Sequence, residues 1–214
     1  AMKSFFALHR RPFFPLGLLA LTGAALTGAA QAVTIGGHLG NAGKVTQTVG
    51  DSNVRVLLAN FADGRVVGVS TLSDGLFSLS VPQNFRPKTA PMNVCPGVKA
   101  TPSEPRTYTA ETLLVYHAGR NQAAVLMQAD SPTDPTRRTQ WVYSDRAATL
   151  RGQCTGLNTH YNLKLRQGWT PIMTVSNSGN FMVTNATPGL PYWVQGTFIS
   201  NARETFKTLL GSKS

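Results

Sequence analysis

Residues 53–82 read NVRVLLANFADGRVVGVSTLSDGLFSLSVP, and the punctuation of this stretch decides the fold class. Val54, Val56 and Leu58 alternate with Asn53, Arg55 and Leu57, so one face of an extended strand is apolar and the other mixed. Ala62-Asp63-Gly64 and Ser73-Asp74-Gly75 supply residues that tolerate the positive φ of tight hairpin turns. After the second turn Phe77, Leu79 and Val81 fall on the core side, Leu76, Ser78 and Ser80 fall on the other, and Pro82 stops the pairing. Three strands joined in this way are expected to form a meander with a single buried face. The Ser-Asp-Gly is a turn former with no chemistry of its own.

The same texture runs on in both directions. Short runs rich in Val, Leu, Thr, Phe and Tyr are broken by Gly, Pro, Asn, Asp and Ser at intervals of roughly eight to twelve residues, the mark of an antiparallel sandwich or barrel. Strands are expected at 33–39, 53–60, 66–72, 76–81, 112–118, 123–129, 140–144, 147–153, 160–166, 172–175, 181–184 and 192–199, with helical turns only in the tail at 202–210. The fold class is therefore all-β: an antiparallel β-sandwich, as one body or as two packed β units. Pro82, Pro87, Pro91, Pro96, Pro102 and Pro105 exclude a central strand from residues 82–105, because each proline removes a ladder donor. That excursion is either a long ordered loop or an inter-sheet crossover. A second break, DSPTDPT at 130–136, divides a unit of residues 33–130 from a basic unit of residues 137–214.

The elements VRVLL (54–58), ST (70–71), DG (74–75) and FSLSVP (77–82) together resemble the carboxypeptidase-regulatory-like, or transthyretin-like, immunoglobulin-type sandwich. The resemblance spans residues 33–82. It implies a module that binds, spaces or supports other domains, and it supplies no active-site residues. Where that family continues with a Gly-x-Tyr strand, this chain has QNFRP (83–87).

Residues 2–32 carry Lys3, Arg10 and Arg11, then an uncharged apolar run from 13 to 30, and close on Ala30-Gln31-Ala32. This is the pattern of a secretory signal peptide. Its clearest apolar stretch, 16–26, is shorter than the ~20 residues of a membrane-spanning helix. The expectation is export to the periplasm or cell surface, with membrane contact only through the leader if it stays uncleaved. In that oxidising setting Cys95 and Cys154 are expected to form a disulfide, closing a loop of about 60 residues and contributing roughly 4 kcal/mol.

Residues 33–214 hold 17 Lys and Arg against 9 Asp and Glu, and the excess is concentrated after residue 130, with 9 basic against 3 acidic groups. For an exported protein such a field favours an anionic envelope polymer, lipid headgroups or an acidic envelope protein, and nucleic acid is not an expected partner. In HYNLKLR (160–166) Asn162, Lys164 and Arg166 share one strand face opposite Tyr161, Leu163 and Leu165. Arg151 extends that stripe if its strand pairs alongside, and Arg137, Arg138 and Arg146 lie near in sequence. Arginine suits bidentate contact with phosphate or carboxylate. Trp141, Tyr143, Trp169, Tyr192 and Trp193 either offer stacking surfaces beside these cations or fill the core.

His38, His117 and His160 are the remaining chemical candidates, and a convergence of the three on one sheet face would make a copper or zinc site. HAGRN (117–121) faintly resembles a segment of the copper-containing superoxide dismutases, although the paired His-x-His of that family is missing. No Gly-x-Ser-x-Gly elbow, Walker loop, Gly-x-Gly-x-x-Gly or His-Glu-x-x-His occurs. Asp63, Asp74, Asp130 and Asp134 read as turn formers. The sequence thus points to an exported binding or structural module of the cell envelope without cofactor, docking through Arg137, Arg138, Arg146, Arg151, Lys164 and Arg166. The alternative is a copper-dependent redox enzyme.

Overall fold

The computed structural model describes residues 33–211 apart from 62, 83, 110 and 111; the expected signal peptide, residues 1–32, lies outside the described residues. In chain order the elements are β1 (Val33–His38), α1 (Ala42–Val49), β2 (Val54–Asn60), β3 (Arg65–Thr71), β4 (Leu76–Val81), β5 (Ala90–Pro91), β6 (Val98–Thr101), β7 (Arg106–Thr109), β8 (Thr112–His117) and β9 (Gln122–Ala129). They continue with β10 (Arg137–Ser144), β11 (Ala148–Gln153), β12 (Thr159–Leu165), β13 (Gly168–Asn177), β14 (Asn180–Asn185), β15 (Tyr192–Val194), β16 (Ile199–Ser200), α2 (Ala202–Thr205) and α3 (Lys207–Leu210). The fold is all-β, as its sequence texture requires.

The expected turn forms as a two-residue loop: Ser73 and Leu76 exchange backbone hydrogen bonds of 3.0 and 2.8 Å, and Asp74 and Gly75 adopt φ of 51° and 73°. The strand after this turn departs from the expected meander. β4 does not extend the β2–β3 ladder but forms a separate antiparallel ribbon with β1, from Val33 opposite Val81 to His38 opposite Leu76. Gly68 permits this, because a Cβ there would lie 3.0 Å from the Leu79 side chain and 3.2 Å from the Ser80 carbonyl of the crossing strand.

The β1–β4 ribbon closes over a sheet ordered β3-β2-β8-β9, and between these layers Ile35, Phe77, Leu79 and Val81 meet Val54, Val56, Leu58, Val115 and Leu126. Helix α1, in a stretch where no helix was expected, adds Val45 and Val49 to this core. The opposite face of β2 is also buried: Leu57 and Ala59 pack with Leu114, Tyr116 and Ala202, and Phe206, Leu209 and Leu210 of the helical tail cover them. A strand expected to be half mixed is therefore apolar on both sides.

A second core lies along the continuation of the sheet, ordered β10-β13-β14-β12-β11-β6, where Val142, Ile172, Leu163, Leu165, Leu150 and Val98 cluster. The proline-rich segment packs on it through Met92, Val94 and Cys95. Within that segment the proline-free residues 98–101 form β6 and pair with β11 at the sheet edge, so the excursion is partly strand. Cys95 and Cys154 are bonded, with Cα atoms 5.3 Å apart, and Cys154 is buried in this core. Beside the bridge Gly97 and Gly152, at φ of 95° and 133°, bring two backbones together so closely that a Cβ on either would collide with the other strand's carbonyls.

Pairing crosses the 130–137 break in both directions. β6 joins the second core from before it, while β15 and β16 return to β9 from after it. The first core also holds an aromatic cluster in which Trp169 is stacked with Phe85 and edge-on to Tyr108 and Tyr143, at centroid distances of 5.6–6.3 Å.

Replacing Cys95 and Cys154 together by Ala is expected to lower the unfolding free energy by about 3–4 kcal/mol. Urea unfolding of oxidised wild type and of the variant checks this; a loss under about 1 kcal/mol would show that the cross-link does not pin β6.

Candidate functional site

The exposed face of β6, β11, β12 and β14 carries an aligned set of cations. Paired residues on neighbouring strands point to the same side of a sheet. The register sets Lys99 opposite Arg151, Arg151 opposite Asn162, and Asn162 opposite Thr184, with Lys164 opposite Thr149 one step along. Lys99, Arg151 and Lys164 are all exposed, and none of these four strands contains an Asp or Glu. Their charged ends make no ion pair or hydrogen bond among the described residues. The reverse face carries Val98, Leu150 and Leu163 into the core, so the alternation that buries the leucines also aligns the cations.

Of the six cations singled out from sequence, the structure brings Arg151 and Lys164 together on this face and gives the others different surroundings. Arg137 is engaged by Asp130, whose carboxylate accepts from the Arg137 N–H (3.0 Å), the Arg137 side-chain Nε (3.4 Å) and the Thr136 hydroxyl (2.6 Å). Arg138, one residue later, projects to the opposite face on the row of Thr174 and Val183. Arg146 sits in the β10–β11 turn and donates to Asp145 at 2.7 Å. Arg166 folds back to donate to the Trp169 carbonyl at 2.9 Å. Lys99 was missed in sequence because it lies in the proline-rich segment. The signal was present, since a Cys95–Cys154 bridge brings V-K-A-T (98–101) beside residues 149–152.

Two ring systems considered for stacking, Trp169 and Tyr192, are buried. Trp141 and Tyr143 pack on the first core, and Trp193 donates through its indole nitrogen to the Ala129 carbonyl at 2.8 Å. These aromatics fill the body and do not flank the cations.

The strand that carries Lys164 is held by a side-chain clamp. Asn185 accepts from the Lys164 N–H at 2.9 Å and donates to its carbonyl at 2.7 Å, replacing a ladder step where the parallel β12–β14 pairing ends. Asn41 does the same for Val194, at 2.9 and 3.1 Å, where the β1 strand meets β15.

The histidines do not converge. His38 ends β1, His117 ends β8 with its Nδ1 accepting from the Arg120 N–H at 3.0 Å, and His160 lies on β12 in the row of Gln153 and Met182. Among the described residues no group of three His, Cys, Asp or Glu is placed to hold a metal ion. No helix among them is long and apolar enough to cross a membrane.

Comparison with family models, with curated proteins and with solved structures finds no match to this chain.

Asp130 carries a pH signature. Partial burial pushes its carboxyl up, but the Thr136 hydroxyl and the Arg137 N–H and guanidinium outweigh this and hold it at about 2. A carboxylate depressed in the folded state contributes stability that is complete above its unfolded value near ~3.9 and is lost as pH falls toward the folded value. Urea midpoints measured from pH 5 down to pH 2 are expected to fall less steeply for Asp130→Asn than for wild type; parallel profiles would contradict the assignment. Asn185→Ala, which removes both hydrogen bonds to Lys164, is expected to destabilise by about 1 kcal/mol, read from the same melts at neutral pH.

Proposed function

We propose that this protein is an exported, noncatalytic binding module of the cell envelope whose cationic sheet face docks an anionic polymer rich in phosphate or carboxylate. The observation that carries this reading is the triad Lys99, Arg151 and Lys164, aligned on one exposed face whose strands carry no acid. Like charges directly opposed on adjacent strands destabilise a sheet. Lys99 and Arg151 are opposed in this way, about 4.8 Å apart along the ladder direction, and a polyanion laid across the strands relieves that repulsion. The face is an exposed sheet surface, held by the disulfide on one side and the Asn185 clamp on the other. Such a surface suits a repeating polymer better than a small substrate, which calls for a concave pocket.

Three further features support the reading. The leader pattern and the disulfide both suit an oxidising compartment, the periplasm or cell surface. The resemblance of residues 33–82 to transthyretin-like modules implies a supporting or binding role. The alternative of copper-dependent redox chemistry lacks a ligand set among the described residues.

The test is binding of fluorescently labelled polygalacturonate and of a polyphosphodiester, followed by anisotropy at ~20 and ~300 mM salt, where screening lengths differ several-fold. Lys99→Glu/Arg151→Glu/Lys164→Glu is expected to weaken binding at low salt by at least about tenfold, because electrostatic complementarity governs such encounters. Arg138→Glu, on the opposite face, is the control and is expected to change affinity less than about twofold. Salt-insensitive binding, or equal losses in the two variants, would overturn the proposal.

A further inference from the structure

The ladder between β9 and β10 lasts for only two residue pairs, Arg138 with Ala129 and Thr139 with Gln128. Beyond them β9 pairs with β8, and β10 turns to pair with β7 through Val142, Tyr143 and Ser144. The sheet therefore forks, and a cavity of 210 Å³ lies in the fork. Ile35, Leu58 and Leu126 are among its apolar lining residues, Thr139, Trp141 and Gln195 are among the polar ones, and Gln140 is the exposed residue of the lining.

The polar atoms distinguish this cavity from a packing flaw. Thr139 Oγ1, Trp141 Nε1 and Gln195 Nε2 are each fully buried, and none has a hydrogen-bond partner among the described residues. The Tyr192 hydroxyl lies beside the Trp141 indole without the geometry of a hydrogen bond. Folded proteins pair nearly all buried polar atoms, so three orphans around one cavity mark a place where a partner completes the set. The indole nitrogen and the amide nitrogen only donate, and the hydroxyl can do so. The partner they require is an acceptor.

Charge and size narrow it further. No Lys, Arg, His, Asp or Glu lines the cavity, and burial pushes the Tyr192 phenol up to about 12, so the lining is neutral across ordinary pH. A dry cavity of ~150 Å³ is enough to hold benzene; the one here takes a six-membered ring with a short substituent. We infer that the fork between β9 and β10 is a binding site for a small, uncharged carbonyl compound, its apolar body against Ile35, Leu58 and Leu126 and its oxygen accepting from Trp141 and Gln195. This site is separate from the cationic face and stands or falls independently of it.

Acetophenone serves as probe, with α-methylstyrene as its near-isostere lacking the acceptor. In titrations followed by ¹H–¹⁵N spectra, acetophenone is expected to bind at ~1 mM or tighter and to move the Trp141 indole N–H resonance. α-Methylstyrene is expected to bind at least about tenfold more weakly. Trp141→Phe, which keeps an aromatic ring without the N–H, is expected to abolish that difference, and the melting temperature of each variant without probe establishes that it is folded. A gentler change, Gln195→Met, is expected to narrow the preference while leaving α-methylstyrene binding within about twofold. Equal affinity for the two probes in wild type, or a Trp141 resonance that stays in contact with water at saturating acetophenone, would overturn the assignment and leave a hydrated cavity only.

Discussion

A single covalent link sets the geometry of the second half of the molecule. Cys95 comes from a proline-rich segment that cannot enter a sheet for most of its length, and bonding it to Cys154 holds the four proline-free residues of β6 against β11. That one placement has three consequences. The core gains Val98 as an edge wall and Met92, Val94 and Cys95 as a cover. Lys99 is carried onto the same face as Arg151. The paired backbones at Gly97 and Gly152 approach to a distance that only glycine allows.

Much of the strand content was readable because its signal is local. The alternation of Phe77, Leu79 and Val81 against serines, the Asp74-Gly75 turn, the pairing of two cysteines and the helical tail all depend on near neighbours or on simple parity. Pairing partners were not readable in the same way. Nothing in LFSLSV states whether it adds to β3 or crosses it to meet β1; the choice rests on Gly68 and on Ile35 packing with Leu79, which are distant in sequence. Helix α1 spans eight residues with Val45 and Val49 as its buried contacts, too short for a periodic pattern, and its borders Asn41 and Gly50 read equally well as loop residues. β13 runs through Pro171, which lies just past the end of the β14 ladder at Ile172 and Asn185, so the proline interrupts no pairing on that side.

The candidate site was legible only in part for a related reason. Closeness in sequence suggested that Arg137, Arg138, Arg146, Arg151, Lys164 and Arg166 act together, but strand parity sends Arg137 and Arg138 to opposite faces. Asp130 and Asp145 then occupy two of the guanidinium groups, those of Arg137 and Arg146. What survives is smaller and better ordered, because Arg151 and Lys164 sit on strands clamped by ladders on both sides. The orphaned donors of the fork left no trace in the sequence at all; Thr139, Trp141 and Gln195 meet only because two ladders diverge.

The return of the tail to β2 and β9 bears on the order in which this chain assembles. Leu57 and Ala59 are shielded by Ala202, Phe206 and Leu209, so the centre of the first layer waits for residues about 150 positions downstream. On the export route proposed above, a chain that enters a pore with its amino end leading exposes that greasy surface until these downstream residues emerge. Closing such distant contacts is slow. The first layer thus stays incompletely packed until its carboxyl-side cover arrives.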